Sequence, residues 1–181
     1  MNPIWQNQTN SAEQTMAIGA TVSRHARAGD VIALAGELGA GKTQFVRGMA
    51  QGIGLEVTVT SPTFVVVQEY LSTFSDKPNL VHIDAYRLKS LEDLESIGWD
   101  MSLDEIRAGS IVAIEWADRL EGLLGEDMLT VELAHAGDDE RDISIITAGS
   151  WIERQDELVK ALNNGKENKQ SKTETQMSDL P

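Results

Sequence analysis

No cysteine occurs in these 181 residues. Disulfides, thiolate zinc sites and cysteine nucleophiles are thereby excluded, and a reducing compartment is the expected setting. Long apolar runs are missing too. None approaches the ~20 residues needed to span a bilayer, so no membrane partner is expected. The opening Met1-Asn2-Pro3-Ile4-Trp5-Gln6 has neither the basic nor the apolar region of a signal peptide. Together these absences set a cytoplasmic location as the expectation. Positive charge is scarce: Lys and Arg number 15 against 29 Asp and Glu, a formal net charge of -14. Such a surface repels phosphate backbones, which argues against broad nucleic-acid binding. It serves solubility, or it offers an acidic face to a basic partner.

What is present is the balance of an ordinary globular protein, with 41% apolar and 24% charged residues. The length suits one domain with a sizeable core. Ser11-Ala12-Glu13-Gln14 has the form of a capping box and predicts a helix to about Arg27. Val31-Ile32-Ala33-Leu34-Ala35 is wholly apolar, the mark of a strand buried on both faces. Phe64 to Tyr70, Leu80 to Ile83 and Ile111 to Ile114 read as further strands. Short helices are expected from Ser90 and from about Leu103 to Ala108. Leu129 to Leu133 and Ile143 to Ile146 flank Gly137-Asp138-Asp139-Glu140, which predicts a hairpin or meander. Ser150-Trp151-Ile152-Glu153 has the form of a second capping box, opening a helix to about Leu162 that Asn163-Asn164-Gly165 would end. One domain is expected over 1–163. The remainder, 164–181, is polar and of mixed charge, the composition of a disordered tail.

Gly36-Glu37-Leu38-Gly39-Ala40-Gly41-Lys42-Thr43 matches G-x-x-x-x-G-K-T. Successive backbone N–H groups must wrap a phosphate here, so bulky side chains would obstruct, and glycine tolerates the dihedrals required. An apolar strand precedes the loop. An amphipathic helix from Lys42 to Gly52 follows, and it points free amides and its positive dipole end at the same phosphates. Lys42 supplies charge to the β and γ phosphates of ATP, and the Thr43 hydroxyl can ligate Mg2+. Gly36, Gly39, Ala40, Gly41 and Gln44 complete the expected phosphate-binding set. The fold class that follows is α/β, a P-loop NTPase in three layers, with a mostly parallel central sheet and an antiparallel C-terminal portion.

Metal and attacking water need carboxylates at strand ends. Asp84 follows the strand Leu80 to Ile83 and Glu115 follows Ile111 to Ile114, where open α/β sheets bind ligands. His82 stands two residues before Asp84, and a packed or hydrogen-bonded histidine is the expectation rather than a metal pair. Trp116 either flanks the nucleotide or fills the core. Thr60-Ser61-Pro62-Thr63 is a hydroxyl-rich turn that suits either a γ-phosphate sensor or ordinary turn chemistry. A guanine-specific Asn-Lys-x-Asp segment, a transporter Leu-Ser-Gly-Gly-Gln signature and an arginine-rich kinase lid are all missing.

The P-loop, Ser61-Pro62-Thr63-Phe64, His82-Ile83-Asp84-Ala85-Tyr86-Arg87-Leu88 and Ile114-Glu115-Trp116 together resemble the TsaE (YjeE) family over roughly residues 10 to 160. That family is the ATPase component of the bacterial machinery for threonylcarbamoyladenosine at position 37 of tRNAs. The resemblance implies Glu115 as the second Mg2+ ligand and Asp84 as the essential acidic residue, orienting water or the hydrated metal. It implies Ser61-Pro62-Thr63 as a switch-like loop, with Ser61 and Thr63 in the nucleotide site, and Trp116 beside the nucleotide. It implies TsaD and TsaB as partners, tRNA being met through them, and hydrolysis that is slow without them. Phe64, Ala85 and Ala117 depart from residues common in the family, and none removes a phosphate or metal ligand. Two alternatives stand beside the ATPase: a nucleotide-gated binding module with incidental hydrolysis, and a small-molecule kinase.

Overall fold

The computed structural model describes residues 2–61, 66–88, 93, 108–120 and 124–165. Along the chain the elements are β1 (Trp5–Thr9), α1 (Ala12–His25), β2 (Val31–Ala35), α2 (Lys42–Gly52), β3 (Val67–Tyr70), β4 (Asn79–Asp84), β5 (Ser110–Glu115), β6 (Leu129–His135) and β7 (Arg141–Thr147). A further helix covers 155–165. Of the helix expected from Ser90 only Asp93 is described, and it is helical; most of that near Leu103 lies outside the described residues, as do Pro62 to Val65 and the tail 166–181. No helix among the described residues is long and apolar enough to cross a membrane.

The strands form one sheet of seven in the order β1-β7-β6-β2-β5-β4-β3. The apolar runs sit at its centre, where both faces are covered and alternation is not needed. Burial is complete along β5. β6, β2, β5 and β4 run parallel. The expected antiparallel C-terminal portion is present, since β7 pairs antiparallel with β6. The expectation of a mostly parallel sheet needs correcting, because the opposite edge is antiparallel as well: β3 pairs antiparallel with β4. The link between them, residues 71–78, is too short for a crossover, and a parallel return needs a dozen residues or more. The sheet is therefore mixed. β1, which the sequence does not announce, closes the other edge against β7.

The two sheet faces have separate cores. One holds Ile32 and Leu34 of β2 against Ile18 and Val22 of α1, Phe45 and Met49 of α2, and Trp151, Leu158 and Leu162. The other holds Val31 and Ala33 against Val81, Ile83, Val112 and Ile114, with Leu88, Ala117, Leu120 and Leu124 over them. Asp30, at the entry to β2, takes both guanidinium arms of Arg154 at 2.8 and 2.9 Å. This forked pair, buried on both sides, pins the segment before helix 155–165 to the sheet.

Three elements differ in detail from their sequence reading. α1 ends at His25 rather than Arg27. Its Ser11 cap forms as expected, accepting from the Gln14 amide at 3.3 Å, but the Gln14 side chain accepts from Asn10 N rather than from Ser11. Ser150 does not cap a helix. Its amide and hydroxyl both donate to Asp127 Oδ1 at 2.8 Å, and a 3-10 turn (Gly149–Arg154) intervenes before the helix, which runs on through Gly165. Val66, expected inside a strand, has φ 70°, and β3 begins only after it.

α1 and α2 approach backbone to backbone. A Cβ added to Gly48 would overlap the Met16 carbonyl oxygen, and one added to Gly19 would overlap that of Phe45. Gly48→Ala gains about 1 kcal/mol of helix propensity. It must also push apart two helices whose contact atoms are backbone and cannot rotate away, which costs about 1–3 kcal/mol. We expect net destabilisation, read as a melting temperature lowered by about 2–4 °C per kcal/mol. An unchanged or raised melting temperature would contradict this packing.

Candidate functional site

The site forms where β2, β5 and β4 end together. After β2 the chain turns through Gly36, Gly39 and Gly41, at φ 145°, 79° and 102°. A Cβ at Gly36 would overlap the Leu133 carbonyl oxygen of β6, so no other residue fits there. Gly41 is the N-cap of α2 and contributes no side-chain cap. The first amides of α2 thus keep their donor capacity for an anion at the helix start. Ala40 is fully buried beneath the loop.

The outside of the loop is held by a device that the sequence does not signal. His135, ending β6, has its Nε2 3.2 Å from the Leu38 carbonyl. Arg141, opening β7, donates to the Gly39 carbonyl at 3.3 Å while also bonding the carbonyls of Gly137, Asp138 and Glu140. About a hundred residues separate each donor from its acceptor, as only the β6–β7 hairpin brings them together. Across a trans peptide the N–H points opposite to the C=O. Tying the carbonyls of Leu38 and Gly39 outward therefore turns the amides of Gly39 and Ala40 the other way, where that of Ala40 donates to the Glu37 carbonyl at 3.2 Å.

Lys42 lies buried at the floor of the site, with its Nζ donating to the carbonyls of Gly36 at 2.7 Å and Glu37 at 2.9 Å. The ammonium stands 3.7 Å from the centroid of the Trp116 ring. Burial lowers its pKa from the ordinary lysine value, against the opposing pull of Glu115, Asp84 and Asp118. Trp116 reaches Lys42 because its backbone is left-handed, φ 60°, directly after β5. A bulky residue held there marks strain of the kind concentrated at functional sites. Tyr86 lies 5.0 Å from Trp116, and the Arg119 guanidinium lies 4.8 Å from the Tyr86 ring.

The expected carboxylates come together. Asp84 and Glu115 are paired in register across β4 and β5. Glu115, almost wholly buried, accepts from the Thr43 hydroxyl at 2.8 Å through Oε1, and His82 Nε2 meets the same oxygen at 2.9 Å. His82 is thus a hydrogen-bonded histidine, and its partner is Glu115 rather than Asp84. Asp84 Oδ1 accepts the Tyr86 amide at 2.9 Å, and its Oδ2 lies 3.4 Å from the Ser61 hydroxyl. One end of the hydroxyl-rich turn therefore reaches the acidic pair. Thr63 lies outside the described residues. Gln44 faces along α2, where its side-chain oxygen accepts from Arg47 at 3.3 Å.

The pair of hard oxygens from Thr43 and Glu115 suits Mg2+, which is usually held by one or two protein groups together with waters and phosphate oxygens. A glycine cradle, a buried lysine and two strand-end carboxylates suit a bound polyphosphate. His135, Arg141, Tyr86, Asp118 and Arg119 also border the site, without a role of their own that the sequence signals. Tyr86 lies within the segment His82 to Leu88 and Arg119 close after Ile114-Glu115-Trp116, which is a weak signal; the hairpin pair carries none.

The model of the family described as threonylcarbamoyl adenosine biosynthesis protein TsaE matches residues 9–143. The tRNA threonylcarbamoyladenosine biosynthesis protein TsaE of Bacillus subtilis is 37% identical over 147 residues, 81% of this chain and 87% of that protein. Its counterpart in Streptomyces coelicolor is 39% identical over 139 residues, 76% of this chain and 90% of that protein. The crystal structure of Bacillus subtilis YdiB superposes with a TM-score of 0.69 at 32% identity, covering 90% of this chain and 95% of that one.

Proposed function

The chain belongs to the TsaE family, and from that premise we propose that it is a P-loop ATPase that drives turnover of the complex making N6-threonylcarbamoyladenosine at position 37 of tRNAs. The observation that carries this reading is the Thr43–Glu115 contact of 2.8 Å beside the buried Lys42, at the mouth of a glycine loop. TsaD and TsaB are the partners that the family implies, and tRNA is met through them.

In this reading the amides of the loop and of the α2 start take the phosphates of ATP. Lys42 exchanges its carbonyl partners for phosphate oxygens and neutralises charge that develops on them. Thr43 and Glu115 would hold Mg2+, which when bound supplies further neutralisation of the phosphate oxygens. Asp84, fixed by the Tyr86 amide and close to Ser61, accepts a hydrogen bond from the attacking water. The water oxygen bonds to the γ-phosphorus, the bond from that phosphorus to the β–γ bridging oxygen breaks, and ADP and phosphate leave. Phosphoryl transfer to water asks mainly for positioning and charge neutralisation, which these groups supply. Trp116 and Tyr86 provide an aromatic flank, and the Ser61-Pro62-Thr63 loop responds to the γ-phosphate through Ser61.

The test is hydrolysis by the purified chain alone and with purified TsaB and TsaD. The expected result is slow release of phosphate alone and stimulation of at least about tenfold with both partners, a fraction of the ~10³–10⁵ an in trans arginine gives in GTPases. Equal rates with and without them would overturn the driving role.

A further inference from the structure

The geometry points to His82 as a positioning residue: its Nε2–H holds the Glu115 carboxylate in the one orientation that lets Glu115 and Thr43 together select Mg2+. The inference rests on the Mg-ATP reading of this site and adds a residue to it.

His82 has no solvent exposure, and it sits on β4 beside β5, the strand that presents Glu115. A carboxylate only accepts hydrogen bonds, so the proton in the 2.9 Å contact belongs to His82 Nε2. Glu115 Oε1 therefore receives two donors, the Thr43 hydroxyl at 2.8 Å and the His82 ring. Two donors on one oxygen fix both the position of the carboxylate and the plane in which it lies. The ring itself cannot drift, because it is locked into the sheet core. Among the described residues, Nδ1 is buried without a hydrogen-bond partner. A buried polar atom left unpaired costs about 1–3 kcal/mol. A merely structural core position would avoid that cost with an apolar side chain, so the retained ring points to the work of its other nitrogen.

The consequence is selectivity. Mg2+ demands near-ideal octahedral geometry, whereas Ca2+ accepts longer and more varied contacts. A carboxylate fixed from behind serves the first cation; a loose one serves both. Groups that orient ligating residues typically account for about 10- to 100-fold in metal affinity.

The experiment compares His82→Gln, which can place an amide N–H near the position of Nε2, with His82→Asn, which falls short. Mg2+ and Ca2+ are titrated against each protein bound to a non-hydrolysable ATP analogue, following tryptophan fluorescence, with analogue binding in EDTA as control. We expect His82→Asn to need about 10-fold more Mg2+ for half-saturation. Its preference for Mg2+ over Ca2+ should fall by a similar factor, with analogue affinity in EDTA within about twofold of the parent. His82→Gln should stay within about threefold on every count. Equal behaviour of the two variants, or a Mg2+ midpoint unmoved in both, overturns the assignment. Nitrogen NMR of the unaltered protein supplies a test that needs no variant: a proton on Nε2 is expected, and a ring protonated only at Nδ1 overturns the assignment. If the parent protein itself shows no Mg2+-dependent binding of the analogue, the Mg-ATP reading fails first, and the inference with it.

Discussion

Replacing Lys42 with methionine is expected to weaken Mg-ATP binding by about 10- to 100-fold and to lower the hydrolysis rate by at least about 100-fold. The binding figure follows from losing a charge-assisted hydrogen bond, worth about 1.5–3 kcal/mol. The rate figure follows from losing a donor placed where charge develops, which costs ~10²–10³. Methionine keeps much of the buried stem and deletes only the head group that now bonds the carbonyls of Gly36 and Glu37 and lies on Trp116. Calorimetry gives the affinity and phosphate release gives the rate, with a melting curve to show that the chain remains folded. Parent-like affinity in Lys42→Met would mean that ATP, if bound at all, is bound elsewhere.

Asp84→Asn is expected to separate binding from hydrolysis. Asparagine preserves the shape and keeps an oxygen for the Tyr86 amide, which bonds Asp84 Oδ1 at 2.9 Å. It removes the negative charge and replaces the oxygen that faces Ser61 with an amide donor. Affinity for Mg-ATP should therefore stay within about fivefold, since in the proposed reading the loop, Lys42 and the α2 start hold the phosphates. Hydrolysis should fall by at least ~10², the lower end of what a positioned acid–base group contributes. The same variant decides between an ATPase that drives turnover and a nucleotide-gated binding module. Placed in the tRNA-modifying complex, it should support about one round per complex and then stall. Many rounds at the parent rate would favour the module, with docking governed by ATP binding alone.

The parts of this molecule legible in its sequence are those where chemistry is local. β2, β4 and β5 announce themselves as apolar runs because both faces of the sheet are covered, and the glycine loop does so because position 36 has no room for a Cβ and positions 36, 39 and 41 all take a positive φ that favours glycine. Asp84 and Glu115 could be placed at strand ends by counting from those runs, and the structure pairs them in register. β1 escaped because Trp-Gln-Asn-Gln-Thr is an edge strand with only its two ends buried, a polar stretch that means nothing until β7 lies beside it. Ser150 misled because a serine before an acidic residue looks like a cap, whereas the competing acceptor, Asp127, lies 23 residues away. The left-handed backbones of Val66 and Trp116 run against residue preference, and such conflicts are expected where function is paid for in strain. The ties from His135 and Arg141 to the glycine loop, and from His82 to Glu115, are products of topology and have no local signature.

The partnership of β1 with β7 has a bearing on biosynthesis. Among the described strands, β1 must wait for β7, made much later in the chain, since Trp5 pairs with Ile145 and its indole also donates to Asn163 at 3.0 Å. Pairings so distant in the chain form slowly, and until they form the open edge of the half-made sheet is a template for other chains. A nascent polypeptide stalled before residue 141 would carry Gly36, Gly39 and Gly41 yet lack the hairpin that clamps their loop, and β1 would still be without its partner strand. Pairing of β1 with β7 and clamping of the glycine loop by Arg141 thus both wait on the same late-made segment.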